Sequence, residues 1–318
     1  MDIVLILAGL ALLLFGGEGL VRGSVAVAEK LNLSTLLVSL VIVGFGTSAP
    51  ELMVSTTAVI KGVPNIALGN VVGSNIANIL LILGLSAVFA PIACTRPEIT
   101  RDAMAVLVAS LVLVGLALHG SIGRLSGLIM LASLAAYMSY AYLTERNNTK
   151  KEEFREQIEE DLGKKTIPIF KAIAFCVVGL LFLVGGAHFL VEGATSIAEK
   201  FGIPNAIIGL SMVAVGTSLP ELATAVVSAY RKHADVVIGN IVGSNLFNIL
   251  GILGVTGMIS PIPFEGRIAD IDIWIMLIVA IALSPIIWTG HKISRVEGGV
   301  FLTLYIVYVV WLYAAAIS

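Results

Sequence analysis

The sequence predicts an all-α, polytopic membrane protein with ten transmembrane helices, arranged as two five-helix repeats of inverted topology. Three observations lead to this prediction. Hydrophobic residues make up 58% of the 318 residues and charged residues only 13%, whereas soluble domains carry about 25% charge. Apolar runs long enough to cross a bilayer recur along the whole chain. Finally, one polar sequence occurs twice, 170 positions apart.

The apolar runs define the individual spans, since a helix needs about 20 apolar residues to cross a bilayer. The ten predicted spans are 2–30, 35–60, 65–90, 101–119, 124–145, 168–199, 204–230, 235–259, 269–290 and 295–317. The first residues lack the basic flank of a signal peptide, so the first run is expected to remain as a helix. The chain then divides into a first repeat, 1–145, a charged linker, 146–167, and a second repeat, 168–318.

Lys and Arg residues are distributed unevenly between the two sides that successive spans define. With the N-terminus outside, 14 of the 19 basic side chains fall on the inner side and four on the outer side, while Arg22 lies within the first span. Cytoplasmic loops carry the excess of Lys and Arg. We therefore predict a plasma-membrane protein with both termini outside and the linker 146–167 in the cytosol. Five spans per repeat, an odd number, invert the second repeat relative to the first.

The two repeats share a pair of polar phrases within apolar helices. The first phrase, Gly-Thr-Ser-Xaa-Pro-Glu, stands at 46–51 and 216–221, and the second phrase, Gly-Asn-Xaa-Val-Gly-Ser-Asn, stands at 69–75 and 239–245. Of the 39 positions that start at Gly46, 18 are identical in the second copy. The duplicated motifs cover 44–84 and 214–254. Inverted repeats form a site between them near the midplane, and exchange of their conformations exposes that site to either side in turn.

Proline in the first phrase is expected to interrupt its helix. Pro50 and Pro220 lack a backbone N–H and clash with the carbonyl four residues earlier, which frees a carbonyl near Gly46 and Gly216. Within hydrocarbon such carbonyls need partners, and hydroxyls plus a bound cation can supply them. Further polar side chains follow at i, i+4 spacing on the same helix faces. The candidate ligands are Glu51, Glu221, Thr47, Thr217, Ser48, Ser218, Ser74, Ser244, Asn78 and Asn248.

All of these candidates offer oxygen, which favours hard cations, and six to eight oxygens suit Ca²⁺. Two bare glutamates near the midplane cost about 2.5 to 3.5 kcal/mol each. One divalent cation, two or three monovalent cations or two protons could compensate them, which predicts competition between Ca²⁺ and Na⁺ or protons. Two alternatives remain open: a kinked helix whose glutamate faces a partner helix, and glycines of the second phrase that pack neighbouring helices closely.

At these residues the sequence resembles the cation/calcium exchanger superfamily, and most of all its prokaryotic sodium/calcium exchangers. The resemblance covers essentially the whole chain and rests on the paired motifs at 44–84 and 214–254. It implies a bundle of eight helices around the ion sites. It also implies that spans 1 and 6 lie outside this bundle as a long, tilted pair that slides during gating.

The resemblance also implies a role for each candidate ligand. Glu51 and Glu221, with the backbone carbonyls of Thr47 and Thr217, would form the calcium site. The matching positions for the sodium sites are Ser48, Ser74, Ser218 and Ser244, and the central pair is Asn78 and Asn248. Some relatives carry aspartate at one of these two central positions. Asparagine at both leaves two carboxylates and argues against potassium co-transport. The acidic second phrase of the calcium/proton branch is absent as well.

The predicted function is antiport of Ca²⁺ against Na⁺ by alternating access, with about three Na⁺ per Ca²⁺ and net charge movement by resemblance. Exchange on the same fold driven by protons, or of another cation such as manganese or magnesium, is the alternative. An intramembrane hydrolase and a channel are further classes, but the sequence contains no known nucleophile motif and inverted repeats argue against a continuous pore. No cofactor and no obligate protein partner are expected. The net charge of −2 excludes nucleic-acid binding.

Charged residues also occupy matched positions in spans 1 and 6. Glu18 and Arg22 in the first repeat correspond to His188 and Glu192 in the second. If the two spans lie side by side, Arg22 is predicted to meet Glu192 across the symmetry axis. The alternative is that each charge faces a water-filled vestibule or lipid headgroups.

Overall fold

The computed structural model describes residues 2–147, 167–200, 214–290 and 292–317, and most of them are helical. The first repeat contains α1 (Asp2–Leu31), α2 (Thr35–Val38), α3 (Phe45–Thr47), α4 (Ala49–Ile60), α5 (Pro64–Ala77), α6 (Gly84–Phe89), β1 (Ile92–Ala93), α7 (Pro97–His119), β2 (Ser121–Ile122) and α8 (Arg124–Asn147). The second contains α9 (Ile169–Lys200), α10 (Ala214–Thr217), α11 (Leu219–Tyr230), α12 (Ala234–Leu246), α13 (Leu253–Ile259), β3 (Ile262–Pro263), α14 (Ile273–Gly290), β4 (Lys292–Ile293) and α15 (Arg295–Ile317).

Helices long and apolar enough to cross a membrane make up most of this fold. The described residues contain seven of them, or eight if the bent pair Thr35–Thr47 and Ala49–Ile60 counts as one span. The prediction of a multi-pass, helical membrane protein is therefore confirmed. The predicted seventh span, 204–230, falls partly outside the described residues, as does most of the predicted linker. Helix α8 continues to Asn147, two residues beyond the predicted end of its span.

Both copies of the first phrase break their helix, as the sequence predicts. Helix α3 ends at Thr47 and α4 begins at Ala49, with a bend of 45° across the break. In the second repeat α10 ends at Thr217 and α11 begins at Leu219. The break precedes each proline because proline fits the first turn of a new helix, where its missing N–H has no intrahelical partner to lose.

Wider, π-helical turns join several of the helices. They cover Ser39–Gly44, Asn78–Leu83, Phe247–Ile252 and Ile268–Asp272. Two of them follow the second phrase in the two repeats, and these contain the central pair Asn78 and Asn248. A π-helical turn inside a longer helix often marks a functional position, since it frees backbone groups from the regular ladder.

Helices α1 and α9 pack against each other in antiparallel orientation along a seam of glycines. A Cβ at Gly16 would lie 2.8 Å from the backbone nitrogen of Leu183, and one at Gly186 would lie 2.8 Å from that of Leu13. The two contacts are equivalent, because Gly16 corresponds to Gly186 and Leu13 to Leu183 at an offset of 170 positions. Gly9 and Gly179 repeat the relation with backbone atoms of the facing helix. Only glycine permits so close an approach of two helix backbones.

Two short antiparallel strand pairs also join the repeats. Strand β1 pairs with β4, with Ile92 opposite Ile293, and β2 pairs with β3, with Ile122 opposite Ile262. The larger apolar cluster lies around α5 to α7 and α12 to α14, while a smaller cluster joins α1, α9 and α11. The two copies of the first phrase contact each other through Ser48 with Glu221 and Ser218 with Glu51. The two apolar clusters pack around them.

The predicted contact between Arg22 and Glu192 is wrong. The Arg22 Nε atom donates to Glu18 on its own helix, and the His188 Nε2 atom lies 3.6 Å from Glu192 Oε2 on α9. Residues four positions apart face each other on a helix, so each charge finds a partner one turn away. The glycine seam that joins α1 and α9 is lined by other positions.

Candidate ion-binding site

The two glutamates of the first phrase lie at the contact between the repeats. Glu51 and Glu221 are 1% and 2% exposed. The Ser48 hydroxyl donates to Oε1 of Glu221 over 2.9 Å, and the Ser218 hydroxyl donates to Oε1 of Glu51 over 3.3 Å. The serine of each repeat thus binds the glutamate of the other, which brings both carboxyl groups into one buried site.

The local structure explains how carboxylates can occupy such a position. Glu51 lies in the first turn of α4 and Glu221 in the first turn of α11. The N-terminus of a helix carries partial positive charge and free N–H groups, which stabilise a nearby carboxylate. The breaks at Ser48 and Ser218 therefore create two helix N-termini in the middle of apolar spans.

Several buried oxygens around this contact have no hydrogen-bond donor among the described residues. They are Glu51 Oε2, Glu221 Oε2, Asn75 Oδ1, Asn78 Oδ1 and Asn248 Oδ1. Buried acceptors are normally satisfied, because leaving them without a partner costs free energy. These orphaned atoms are all acceptors, which makes them candidate ligands for a cation.

Asparagine also joins the two repeats directly at the level of the π-helical turns. The Asn78 amide nitrogen donates to Asn245 Oδ1 over 3.1 Å. Because the amide of Asn78 points its nitrogen at the other repeat, its own oxygen is left free. The central pair therefore presents neutral oxygens and no third carboxylate.

All ten candidate ligands predicted from the sequence are buried: Glu51, Glu221, Thr47, Thr217, Ser48, Ser218, Ser74, Ser244, Asn78 and Asn248. Further hydrogen bonds connect Ser244 and Thr47 to neighbouring backbone and side-chain groups, in part of the other repeat. The Ser244 hydroxyl donates to the carbonyl of Gly44 over 3.0 Å. The hydroxyl of Thr47 is 2.9 Å from the carbonyl of Val43 and 3.2 Å from Asn240 Oδ1.

Two residues that the sequence analysis did not select hold the first phrase in place. The amide nitrogen of Asn240 donates to the backbone carbonyl of Glu221 over 3.1 Å, while its oxygen lies within hydrogen-bonding distance of Thr47 in the other repeat. Asn70 likewise donates to the carbonyl of Glu51 over 3.2 Å. Both belong to the Gly-Asn pair that opens the second phrase, and they precede Ser74 and Ser244 by one helical turn, a spacing that could have revealed them.

Two other buried carboxylates lie apart from this site and have their own partners. Asp102 Oδ1 accepts from the Tyr137 hydroxyl over 2.5 Å and from Arg101 Nε over 2.6 Å. In the second repeat, Asp272 accepts from the Tyr308 hydroxyl over 3.2 Å.

Comparison with known proteins matches almost the whole chain to one family model. The model described as "Sodium/calcium exchanger protein" covers residues 1–143 and 171–314. The chain belongs to the sodium/calcium exchanger family. This exchanger is 34% identical over 308 residues to the putative antiporter CaxA of Alkalimonas amylolytica, with 96% of each chain covered. It is 30% identical to the sodium/calcium exchanger MaX1 of Methanosarcina acetivorans, with 98% of each chain covered.

Solved structures of the sodium-calcium exchanger NCX_Mj share the fold of this family member. The form soaked with 2.5 mM Na⁺ and 10 mM Sr²⁺ superposes with a TM-score of 0.84 at 28% identity, covering 97% of this chain and 98% of the other. A form soaked without Na⁺ and Ca²⁺ gives the same TM-score. These relatives are transporters rather than enzymes, so the chain is a cation/calcium antiporter, and the resemblance to a prokaryotic exchanger is confirmed.

Proposed function

We propose that this antiporter exchanges Ca²⁺ for Na⁺ through one site in which Glu51 and Glu221 act together. The observation that carries the proposal is the reciprocal bonding of Ser48 to Glu221 and of Ser218 to Glu51. It directs both carboxyl groups to one place and leaves a second oxygen of each without a donor among the described residues. A pair of buried carboxylates with free oxygens is suited to one divalent cation.

The remaining candidate ligands complete this site. We assign the calcium position to the two glutamates and the backbone carbonyls of Thr47 and Thr217. The serines belong to the flanking sodium positions, and the asparagines line the middle. These neutral ligands are Ser48, Ser218, Ser74, Ser244, Asn78 and Asn248. Hydroxyl and amide oxygens suit Na⁺ and Ca²⁺, because both are hard cations.

The charge of the site decides how transport responds to voltage. Two glutamates with one Ca²⁺ form a neutral complex, whereas two glutamates with three Na⁺ carry one positive charge. Moving one charge through the membrane potential changes the free energy by about 2.3 kcal/mol per 100 mV. With this stoichiometry exchange is electrogenic, and an inside-negative potential favours entry of Na⁺ and export of Ca²⁺.

Alternating access follows from ten spans in two inverted repeats, 1–145 and 168–318. The antiparallel packing of α1 on α9 supports this arrangement, since these helices occupy equivalent places in the two repeats. The exchange of contacts at the 170-residue offset supports it as well. The strand pairs show a similar exchange, in which Ile92 corresponds to Ile262 at an offset of 170 positions and Ile122 to Ile293 at an offset of 171.

We place the exchanger in the plasma membrane with both termini outside and the linker 146–167 in the cytosol. The excess of basic residues on one side carries this assignment. The ion pair of Arg96 with Asp235, at 3.1 Å, supports it because it joins the starts of α7 and α12, which the prediction assigns to the same side.

Protons are the second candidate for the counter-ion. Two buried carboxyl groups could accept two protons in exchange for one Ca²⁺, which would make transport electroneutral. The absence of a third carboxylate from the positions of Asn78 and Asn248 permits this reading. Another divalent cation in place of Ca²⁺ belongs to the same alternative.

Uptake of radioactive Ca²⁺ into proteoliposomes distinguishes the two counter-ions. The vesicles are loaded with Na⁺, K⁺ or choline, and an ionophore collapses any pH gradient. The proposal predicts uptake only with internal Na⁺, and more of it at an inside-positive potential. The exposed Glu265 provides a control, since Glu265→Gln should transport as the wild type does. Uptake that ignores Na⁺ and requires an acidic interior would replace the proposal with calcium/proton exchange.

A further inference from the structure

The outer helices α1 and α9 cover equivalent core helices to different degrees. A Cβ at Gly17 of α1 would lie 3.2 Å from Val227 and 3.3 Å from the carbonyl of Ala223, both on α11. Val227 is accordingly only 8% exposed. The equivalent positions on α4 are Thr57, which is exposed, and Met53, which is 70% exposed. Helix α1 therefore lies over α11, while α4 presents the matching face uncovered.

A second contact shows the same imbalance at the first phrase. A Cβ at Gly46 would lie 2.8 Å from Leu180 of α9, and one at the equivalent Gly216 would lie 2.6 Å from Val191, which is again on α9. A symmetric arrangement would place a residue of α1 beside Gly216. Contacts between α1 and α9 thus repeat at an offset of 170 positions, whereas the contacts of these two helices with the core helices do not.

An internally symmetric pair has two equivalent ways to lie on a core with the same symmetry. In the described structure α1 covers α11, and in the exchanged arrangement α9 would cover α4. If the chain works by alternating access, as the proposed function assumes, these two arrangements are its two access states. Glu221 lies in the first turn of α11, and Arg231 follows its last residue. Helix α1 therefore packs on the segment that leads from the candidate site to Arg231.

One ion pair lies at the edge of the covered interface. Arg231, at the end of α11, bonds Glu18 of α1 through two nitrogens, at 2.6 Å and 3.0 Å. Paired bonds of this kind between arginine and a carboxylate are stronger and more directional than a single contact. Arg22 also donates to Glu18 from the same helix. When Arg231 moves away, Arg22 can remain with Glu18, so the carboxylate keeps a counter-ion in both states.

The second repeat has no equivalent of this pair. The positions that correspond to Glu18 and Arg231 are His188 and Lys61. Two basic side chains cannot form an ion pair with each other. In the exchanged arrangement, the interface of α9 with α4 would therefore lack the bond that α1 makes with α11.

We propose that Glu18 and Arg231 are positioning residues of the transport cycle, which hold α1 over α11 in one access state only. The pair biases the equilibrium between the two states without touching the ions. By the predicted orientation Arg231 is cytosolic, so the state that the pair stabilises is the one closed toward the cytosol. The exchanged state, in which α9 covers α4, receives no such support.

Cross-linking between paired cysteines measures the two arrangements directly. Both native cysteines, Cys94 and Cys176, are replaced by alanine. One reporter carries Gly17→Cys with Val227→Cys, which lie close together in the described state. The other carries Ala187→Cys with Thr57→Cys, the equivalent positions, which should meet in the exchanged state. The ratio of the two cross-linking rates reports the balance between the states.

Glu18→Gln should lower this ratio by about twofold to fivefold, the range expected for a partly exposed ion pair. His188→Glu should lower the ratio as well, because it offers Lys61 a partner and so supports the exchanged state. In an Arg22→Gln background, which removes the like charge one turn from position 18, the charge swap Glu18→Arg with Arg231→Glu should restore the ratio that Arg22→Gln shows alone. Glu265→Gln is the control, since this exposed acid lies outside α1, α4, α9 and α11 and should leave the ratio unchanged.

An unchanged ratio in Glu18→Gln overturns the proposal, as does a charge-swapped variant that behaves like the single ones. The swap separates positioning from damage to the fold, because a damaged protein would not recover. Sodium-driven Ca²⁺ uptake by the wild type, measured in the same membranes, tests the proposed function independently. A protein that fails in that assay and still shows the predicted ratios would refute the exchange of Na⁺ for Ca²⁺ and leave the role of the pair intact.

Discussion

The centre and the periphery of this exchanger follow the duplication to different degrees. At the centre, Ser48 with Glu221 and Ser218 with Glu51 form the same contact twice, with the repeats exchanged. At the periphery, α1 packs on α11 at Gly17, while the equivalent face of α4 is left open at Met53. The same duplicated chain is thus nearly symmetric around its carboxylates and asymmetric where its outer helices meet the core.

This difference distinguishes the ion ligands, which should stay the same throughout transport, from the helix contacts, which should change. An ion site used from both sides benefits from ligands that stay equivalent when the repeats exchange conformations. Access from one side at a time requires that the surrounding contacts differ between the repeats. Binding chemistry is therefore expected to depend on the central residues, and the balance between states on the peripheral ones.

The largest effect should come from removing one central carboxylate. Glu51→Gln and Glu221→Gln should each lower Ca²⁺ uptake by about 100-fold or more, because either leaves a single charge against a divalent ion. Equivalence of the two positions predicts losses of the same size. Radioactive uptake with Glu265→Gln as the control measures this, and undiminished transport in either variant would rule out the site.

The next effect concerns the asparagines that hold the first phrase. Asn240→Ala removes bonds to the Glu221 carbonyl and to Thr47, so it should weaken apparent Ca²⁺ affinity by about tenfold, since a lost buried hydrogen bond costs about 1 to 3 kcal/mol. Asn70 is only partly buried, and Asn70→Ala should cost less. Concentration dependence of uptake separates affinity from maximal rate. Equal affinity in Asn240→Ala and the wild type would contradict the positioning role.

The glycine seam predicts a loss of stability rather than of affinity. Gly186→Val should clash with the backbone of α1 and lower the unfolding temperature by several degrees, since overpacking costs about 1 to 3 kcal/mol. Gly16→Val, its equivalent, should cost the same. Gly185 has open space around it, so Gly185→Val is the control on the neighbouring position. A smaller shift in Gly186→Val than in Gly185→Val would refute the seam.

The smallest effect should come from the tyrosines at Asp102 and Asp272. Tyr137→Phe removes a 2.5 Å bond to a fully buried carboxylate, and Tyr308→Phe removes one of 3.2 Å. We expect the first to lower the unfolding temperature by about 2 to 4 °C, the shift that goes with about 1 kcal/mol, and the second by less. Tyr140 is 55% exposed, and Tyr140→Phe should have no effect. The reverse order of the two variants would contradict this ranking.

The sequence predicted the centre of the molecule better than its periphery. Hydrophobic length and the duplicated phrases sufficed for a helical membrane protein, for the breaks at Ser48 and Ser218 and for ten buried candidate ligands. Each of these features depends on residues close together in sequence or on repetition. The supporting asparagines, Asn70 and Asn240, were missed because they were read only as part of a glycine-rich packing motif.

The periphery depends on contacts that repetition alone does not determine. Arg22 was expected to reach Glu192, yet both charges pair within their own helices. The partner of Glu18 is Arg231, at the end of α11 and more than 200 positions away in the sequence. The repeat pattern gives no reason to expect α1 on α11 rather than α9 on α4. The repeat pattern alone predicts neither the packing of α1 on α11 at Gly17 nor the bond between Glu18 and Arg231.

Calcium binding to the purified protein at fixed pH, with Na⁺ raised stepwise, tests most directly whether the two ions share one site. We expect one Ca²⁺ per chain, displaced by Na⁺ with a Hill coefficient above one, and no binding in the double variant Glu51→Gln with Glu221→Gln. Calcium that stays bound at high Na⁺, or that still binds without the two glutamates, would contradict it.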